Sequence, residues 1–97
     1  MKHYHRTHVT PESVMAAADA YFPTLSLTRQ ASTTRSRVFT GDLGTVKISA
    51  RPEGGHYTFI EADTDQVGES RLDRNVKRFF VRVHRQAEPS HKLAAAY

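Results

Sequence analysis

Apolar and polar residues alternate along several short stretches of the chain, which is the pattern of strands in a half-buried sheet. The alternation is cleanest between residues 45 and 51, where Val46, Ile48 and Ala50 fall on one side and polar residues on the other. Turn sequences that contain two glycines each, Gly41–Gly44 and Pro52–Gly55, flank that segment. We predict strands over residues 2–9, 25–30, 35–40, 45–51 and 56–63.

A first helix is predicted after residue 10, because its start carries three favourable residues in a row. Thr10 can cap the free backbone N–H groups, Pro11 suits the first helical position, and Glu12 favours the positive end of the helix dipole. Pro23 cannot continue a helix. The apolar face of this helix consists of Val14, Ala17, Ala18, Tyr21 and Phe22.

The last predicted element is the longest, an amphipathic helix that runs from Ser70 to about Gln86. Ser70 and Asp73 have the spacing of a capping box, with Asp in place of the usual Glu or Gln. Pro89 ends the helix, so we expect one domain over residues 1–88 and a C-terminal tail over 89–97. The apolar face consists of Leu72, Val76, Phe79, Phe80 and Val83.

The predicted order of elements is β-α-β-β-β-β-α, an α+β fold. An antiparallel sheet of about five strands, with the long C-terminal helix packed across it, would bury both apolar faces. In this order, and in an opening strand that leads through Val9–Val14 into a helix, the chain resembles the START/Bet v 1-like superfamily, the helix-grip fold. The resemblance implies binding of an apolar ligand or lipid and, in some members, cyclase chemistry. The chain is shorter than such domains and lacks their second short helix, and the resemblance assigns no site residues.

Length and composition narrow the class further. A chain of 97 residues with 38% apolar and 25% charged residues is long enough for one modest core. It contains no cysteine, which excludes disulfides, thiolate nucleophiles and cysteine-bound metals. No apolar run is long enough to span a membrane, and residues 1–6 do not resemble a secretory signal. We therefore expect a cytoplasmic protein without a transmembrane segment.

Positive charge is concentrated at the C-terminal end of the chain. The net charge is +4, but residues 38–70 hold two Lys/Arg against six Asp/Glu, whereas residues 71–97 hold seven against two. On the last helix the arginines fall within an arc of about 80°. We call this set the arginine stripe: Arg71, Arg74, Arg78, Arg82 and Arg85. It is either a solvated face neutralised by acids of the middle segment or a surface that binds an anionic partner such as nucleic acid.

A second candidate site lies on the fifth strand. Tyr57, Phe59 and Glu61 share one face of it, and if that face meets the helices, Glu61 points into a pocket with Phe79 and Phe80. A carboxylate there needs a partner, which Arg6 could supply if the first and fifth strands pair. In the opposite orientation Ile60 points inward and Glu61 lies at the periphery. These five residues are our candidate ligand-binding set.

Other chemistry is less well marked. His3 and His5 share one face of the first strand, but no third metal ligand has suitable spacing, so we predict no metal site. No motif identifies a catalytic residue or a cofactor. The sequence therefore predicts a small soluble binding domain that holds an apolar small molecule or a protein partner between the sheet and the last helix. The alternative is binding of nucleic acid or an anionic surface through the arginine stripe, and a third possibility is an enzyme that uses Glu61 or a histidine.

Overall fold

A computed structural model describes residues 1–87 of the chain. The predicted tail over residues 89–97 lies outside these residues. The described chain contains five strands, two α-helices and one short 3-10 helix. In chain order they are β1 (Lys2–Thr7), α1 (Pro11–Tyr21), the 3-10 helix (Phe22–Leu25), β2 (Thr28–Thr33), β3 (Ser36–Gly41), β4 (Gly44–Glu53), β5 (Tyr57–Thr64) and α2 (Arg71–Ala87).

The five strands form one antiparallel sheet in the order β1-β5-β4-β3-β2. Strands β2 to β5 follow one another as a meander, and β1 pairs with β5 at the far edge. Gly44 takes a φ of 126° at the tight connection from β3 to β4, a backbone conformation that glycine adopts without strain. The predicted α+β fold, with an antiparallel sheet and a long C-terminal helix, is confirmed.

Both helices pack against one face of the sheet, which we call the inner face. Val46, Ile48 and Ala50 of β4 lie on it, and in β5 the inner residues are Ile60 and Ala62. The apolar face predicted for α2 is buried in full, whereas on α1 Ala17 is only half-buried and Met15, which the prediction did not include, is buried. The buried helical residues are Val14, Met15, Ala18, Tyr21, Leu72, Val76, Phe79, Phe80 and Val83. The other face of the sheet has no helix on it within residues 1–87, and we call it the open face.

The N-terminus of α1 has the predicted geometry. The Thr10 side chain accepts a hydrogen bond from the Ser13 N–H at 3.2 Å, and Pro11 occupies the first helical position. The end of the helix differs from the prediction, because Phe22–Leu25 continues it as a 3-10 turn. Ser26 then adopts a left-handed conformation, and β2 begins at Thr28 instead of Leu25. The predicted strand start was wrong because Pro23, which stops an α-helix, fits the first turn of a 3-10 helix.

The first turn of α2 is fixed by a buried carboxylate. Asp73 is fully buried, and its backbone N–H donates to the Ser70 hydroxyl oxygen at 3.0 Å, as in a capping box. Its side chain does not return to the cap backbone. It accepts hydrogen bonds from Ser70, from Thr64 of β5 and from the His3 ring of β1, at 2.6, 2.8 and 2.8 Å. Asp73 therefore takes part in the N-terminal cap of α2 and also links the helix to β5 and β1 by hydrogen bonds.

Candidate functional site

The arginine stripe is an exposed surface along the outer side of α2. All five of its residues are exposed, because the opposite side of the helix is the one that packs on the sheet. Within residues 1–87 none of the five guanidinium groups has a carboxylate oxygen within 4.0 Å. The described part of the chain therefore leaves five positive charges side by side without a paired negative charge.

Three of the six acids in the middle segment have other partners. Glu53 binds Arg6, and Glu69 binds Lys77, which lies beside the stripe on α2. The carboxylate of Asp65 accepts a hydrogen bond from the backbone N–H of Thr45 near the start of β4. Among the described residues, neutralisation of the stripe by the acidic middle segment is not observed.

The C-terminal half of the stripe borders two open grooves between α1 and α2. The grooves enclose about 530 and 460 Å³, and both are lined by Tyr21, Thr24, Arg82 and Arg85. The Arg82 guanidinium lies 5.0 Å above the centre of the Tyr21 ring, and the Tyr21 hydroxyl donates to Asn75 Oδ1 at 2.8 Å. The Tyr21 ring thus holds the Arg82 guanidinium beside the grooves.

Burial raises the pKa of the Tyr21 hydroxyl, although the positive charges of Arg82 and Arg78 act in the opposite direction. The hydroxyl therefore stays protonated at neutral pH and keeps its hydrogen bond to Asn75. No negative charge arises on Tyr21 to compete for the neighbouring arginines.

The candidate ligand-binding set does not line one pocket. Phe79 and Phe80 lie in the core beneath α2, whereas Tyr57, Phe59 and Glu61 lie on the open face of the sheet. The sheet separates the two groups. Of the two orientations that the sequence left open for β5, the structure has the one with Ile60 inward. The register with β4 sets it, because Ile48 is opposite Ala62, so Ile60 and Ala62 point to the helices and Tyr57, Phe59 and Glu61 do not.

The proposed pairing of Arg6 with Glu61 is also not observed. Strands β1 and β5 do pair, but Arg6 stands opposite Phe59 and Tyr4 stands opposite Glu61. The Arg6 guanidinium instead donates to both carboxylate oxygens of Glu53, at 3.0 and 3.2 Å. Glu61 is half-buried on the open face of the sheet.

The two histidines of β1, His3 and His5, point to the inner face, where both contact residues of α2. His3 donates to Asp73, and the His5 ring stacks on Phe80 with 5.1 Å between ring centres. Burial, and next to it the charge of His84, lowers the pKa of His5. Within residues 1–87 no group of three or more His, Cys, Asp or Glu side chains could hold a metal ion.

Two features of the surface were missed in the sequence. Tyr21 belongs to the core as predicted, but the sequence did not indicate that the face of its ring also supports Arg82. Tyr4 and Arg51 were not singled out, although both lie on the open face beside Phe59. The acidic residues of β5 could have revealed this face, since Glu61 and Asp63 share the orientation of Phe59 and favour water.

The chain matches no protein-family model, and no curated protein has a matching sequence. Among residues 1–87, no helix has both the length and the apolar character needed to cross a bilayer. The function is therefore argued from the surface itself.

Proposed function

We propose that this protein binds nucleic acid, with the arginine stripe of α2 as the surface that contacts the phosphates. The observation that carries the proposal is the row of five exposed arginines without a carboxylate partner in the described chain. Guanidinium groups bind phosphate oxygens with two parallel hydrogen bonds, and each contact releases counterions from the nucleic acid. A row of such groups is therefore a phosphate-binding surface.

The spacing of the stripe suits a polymer of phosphates better than a single anion. Successive stripe residues are three or four positions apart, which is about 4.5 to 6 Å along the helix axis. From Arg71 to Arg85 the stripe extends over about 21 Å. Several phosphates of one strand can be contacted at the same time.

A membrane surface is a less suitable partner than nucleic acid. A helix that lies in a bilayer interface inserts its apolar side among the lipids. The apolar side of α2 is already buried, since Leu72, Val76, Phe79 and Val83 have no exposed surface. Only Val81 is an exposed large apolar residue of α2 among those described. The helix could therefore meet a bilayer by charge alone.

The proposal is tested by measuring the binding of a fluorescent DNA duplex by anisotropy over a range of salt concentrations. With five phosphate contacts, the logarithm of the binding constant falls with the logarithm of salt with a slope of about −4 to −5. Arg78→Glu is expected to weaken binding and to make this slope shallower. Binding that does not depend on salt would contradict the proposal.

Lys77→Glu is the matched control, because it makes the same change of charge at the neighbouring position. Lys77 already pairs with Glu69 at 3.0 Å and lies outside the stripe. If the stripe is the interface, Arg78→Glu weakens binding more strongly than Lys77→Glu. Equal losses would show that only the overall charge matters, and the stripe would not be a specific surface.

A small apolar molecule or a protein partner between the sheet and α2 stays a prediction from the sequence. The packing there gives it little support. Phe79, Val76 and Ile60 have no exposed surface and fill the space that a ligand would need. The arginine stripe, by contrast, is accessible without any rearrangement of the described chain.

A further inference from the structure

The open face of the sheet carries a second organised surface, on the side of the molecule away from the stripe. The Tyr4 ring of β1 stacks on the Phe59 ring of β5 with 5.6 Å between centres and 26° between planes. The Arg51 guanidinium of β4 lies 4.7 Å from the centre of the same Phe59 ring. We call Tyr4, Phe59 and Arg51 the stacking row. It crosses three neighbouring strands at the surface, and Tyr4 is 54% exposed.

The stacking row borders a depression with an excess of positive charge. The depression encloses about 300 Å³, and its lining includes Phe59, three cations and one carboxylate. The cations are Arg35, Lys47 and Arg51, and the carboxylate is Glu61. The Arg35 guanidinium also lies 3.6 Å from the Glu12 carboxylate of α1, so among the described residues the unpaired cations of this lining are Lys47 and Arg51. Nearby, Arg6 and Glu53 neutralise each other. A negatively charged ligand with flat rings fits this combination of charge and aromatic surface.

We propose that the open face binds single-stranded nucleic acid. Unpaired bases would stack on Tyr4 and on the Arg51 guanidinium, since every base has a flat face and such stacking does not depend on sequence. The phosphates would lie near Lys47 at the depression.

Glu61 stands between Tyr4 and Ser49 in the register of the sheet, so both of its neighbours lie on the same face. Its carboxylate can accept hydrogen bonds from amino groups on base edges, and the Ser49 hydroxyl can donate or accept. These two side chains give the surface polar groups between its stacking positions. In a duplex the base faces are covered by their neighbours, so the open face selects single strands.

This inference goes beyond the proposed function of the stripe. The two proposals can be tested separately, because the two surfaces contact different parts of the nucleic acid. The stripe contacts phosphates, which both single strands and duplexes present. The stacking row contacts base faces, which only single strands present. A variant of the stacking row should therefore change the ratio of single-strand to duplex affinity. A variant of the stripe should leave that ratio nearly unchanged.

The test compares a fluorescent single strand of about twelve nucleotides, as RNA and as DNA, with the matching duplex. Tyr4→Leu keeps an apolar side chain but removes the ring, and it should weaken single-strand binding at least about tenfold with little change for the duplex. Arg51→Gln should act in the same direction. Arg78→Gln on α2 is the matched control, and it should weaken both forms to a similar degree.

The inference is overturned if Tyr4→Leu and Arg51→Gln both leave single-strand binding within about twofold of the original protein. That result would leave duplex binding by the stripe intact. Sedimentation analysis provides a second check, because a dimer that dissociates on Tyr4→Leu would show that the open face is covered by another copy of the chain. Circular dichroism and urea unfolding confirm that each variant is folded.

Discussion

The two helices lie side by side on the same face of the sheet, yet their charged residues behave differently. On α1, Asp19 binds Arg37 at 3.1 Å and Arg29 at 3.3 Å, and Glu12 lies 3.6 Å from Arg35. All three arginines belong to the β2–β3 hairpin. The stripe arginines of α2 have no such partner in residues 1–87. The acids of α1 pair within the fold, whereas the stripe arginines of α2 remain available to a partner outside it.

This difference follows from what each helix has beside it. Helix α1 packs near β3 and β4, so its acids reach the arginines at that edge of the sheet. Helix α2 packs near β1 and β5, and the acid it buries, Asp73, is already saturated by hydrogen bonds. A charged helix face therefore indicates binding to another molecule only when the neighbouring elements offer no oppositely charged partner.

Both helices contribute to one core, and the substitution that should cost the most folding stability lies in it. Phe79 of α2 contacts Tyr21 and Phe22, with ring centres 6.0 and 5.1 Å apart. Phe79→Ala should lower the free energy of unfolding by about 3–5 kcal/mol, because it leaves a cavity between the helices. Urea denaturation measures this, with the exposed Val81→Ala expected to stay within about 0.5 kcal/mol. A small loss for Phe79→Ala would mean that α2 contributes little to the core.

On α2, removing the buried acid should cost much more folding stability than removing one of the exposed cations. Asp73→Ala removes three hydrogen bonds and leaves buried polar groups without partners, so it should cost about 2–4 kcal/mol. The same variant should unfold at a lower urea concentration. Arg74→Ala, one residue further along the helix, serves as the control and should have little effect.

Asp73 also predicts how stability depends on pH. Burial acts to raise the pKa of its carboxyl, but the hydrogen bonds from Ser70, His3 and Thr64 outweigh burial and hold the pKa below its ordinary value of 3.8. The unfolded state therefore binds the proton first as pH falls. This contribution is complete well above pH 3.8 and is lost as the pH falls through the pKa of the folded state. Urea titrations at several pH values should show that the free energy of unfolding falls less steeply with decreasing pH in Asp73→Asn than in the original protein. The same pH dependence in both proteins would contradict this role.

A smaller effect tests whether the ion pairs of α1 stabilise the fold. Asp19→Asn should lower the free energy of unfolding by about 1 kcal/mol, because the Arg37 side chain is only 16% exposed and loses its main partner. Exposed pairs are worth less, so Glu12→Gln should have a smaller effect. High salt should reduce the difference between Asp19→Asn and the original protein.

The smallest effect is expected at the arginine stripe itself. Replacing Arg74 and Arg78 with Gln should change the free energy of unfolding by no more than about 0.5 kcal/mol, since no pair is broken and Gln is a good helix former. At low salt the variant should be slightly more stable, because like charges three and four residues apart repel. A loss greater than about 1 kcal/mol would show that the stripe serves the fold, and the contrast with α1 would disappear.

Local signals in the sequence predict most of the fold. Thr10 and Pro11 start α1, the alternation around Ile48 forms β4, and the spacing of Leu72 to Val83 forms α2. Each of these signals depends on neighbours within one or two turns. The exposed position of the arginine stripe follows from the same helical spacing.

Features that depend on distant residues could not be predicted. The orientation of β5 is set by its register with β4, and the alternation within β5 alone left both orientations open. The Asp73 network joins residues 70 positions apart, so no spacing in the sequence indicates it. The stacking row combines one residue from each of three strands and becomes visible only when their order is known.

The pairing of β1 with β5 has a consequence for the way the chain folds during its synthesis. Strand β1 ends at Thr7, and within residues 1–87 the strand that pairs with it, β5, ends at Thr64. At about 5–20 residues per second, a ribosome needs roughly 3 to 12 seconds to make the intervening chain. Throughout that time β1 has no edge to join in the described sheet. Strand β1 is thus made well before β5 but can enter the sheet only after β5 has been translated.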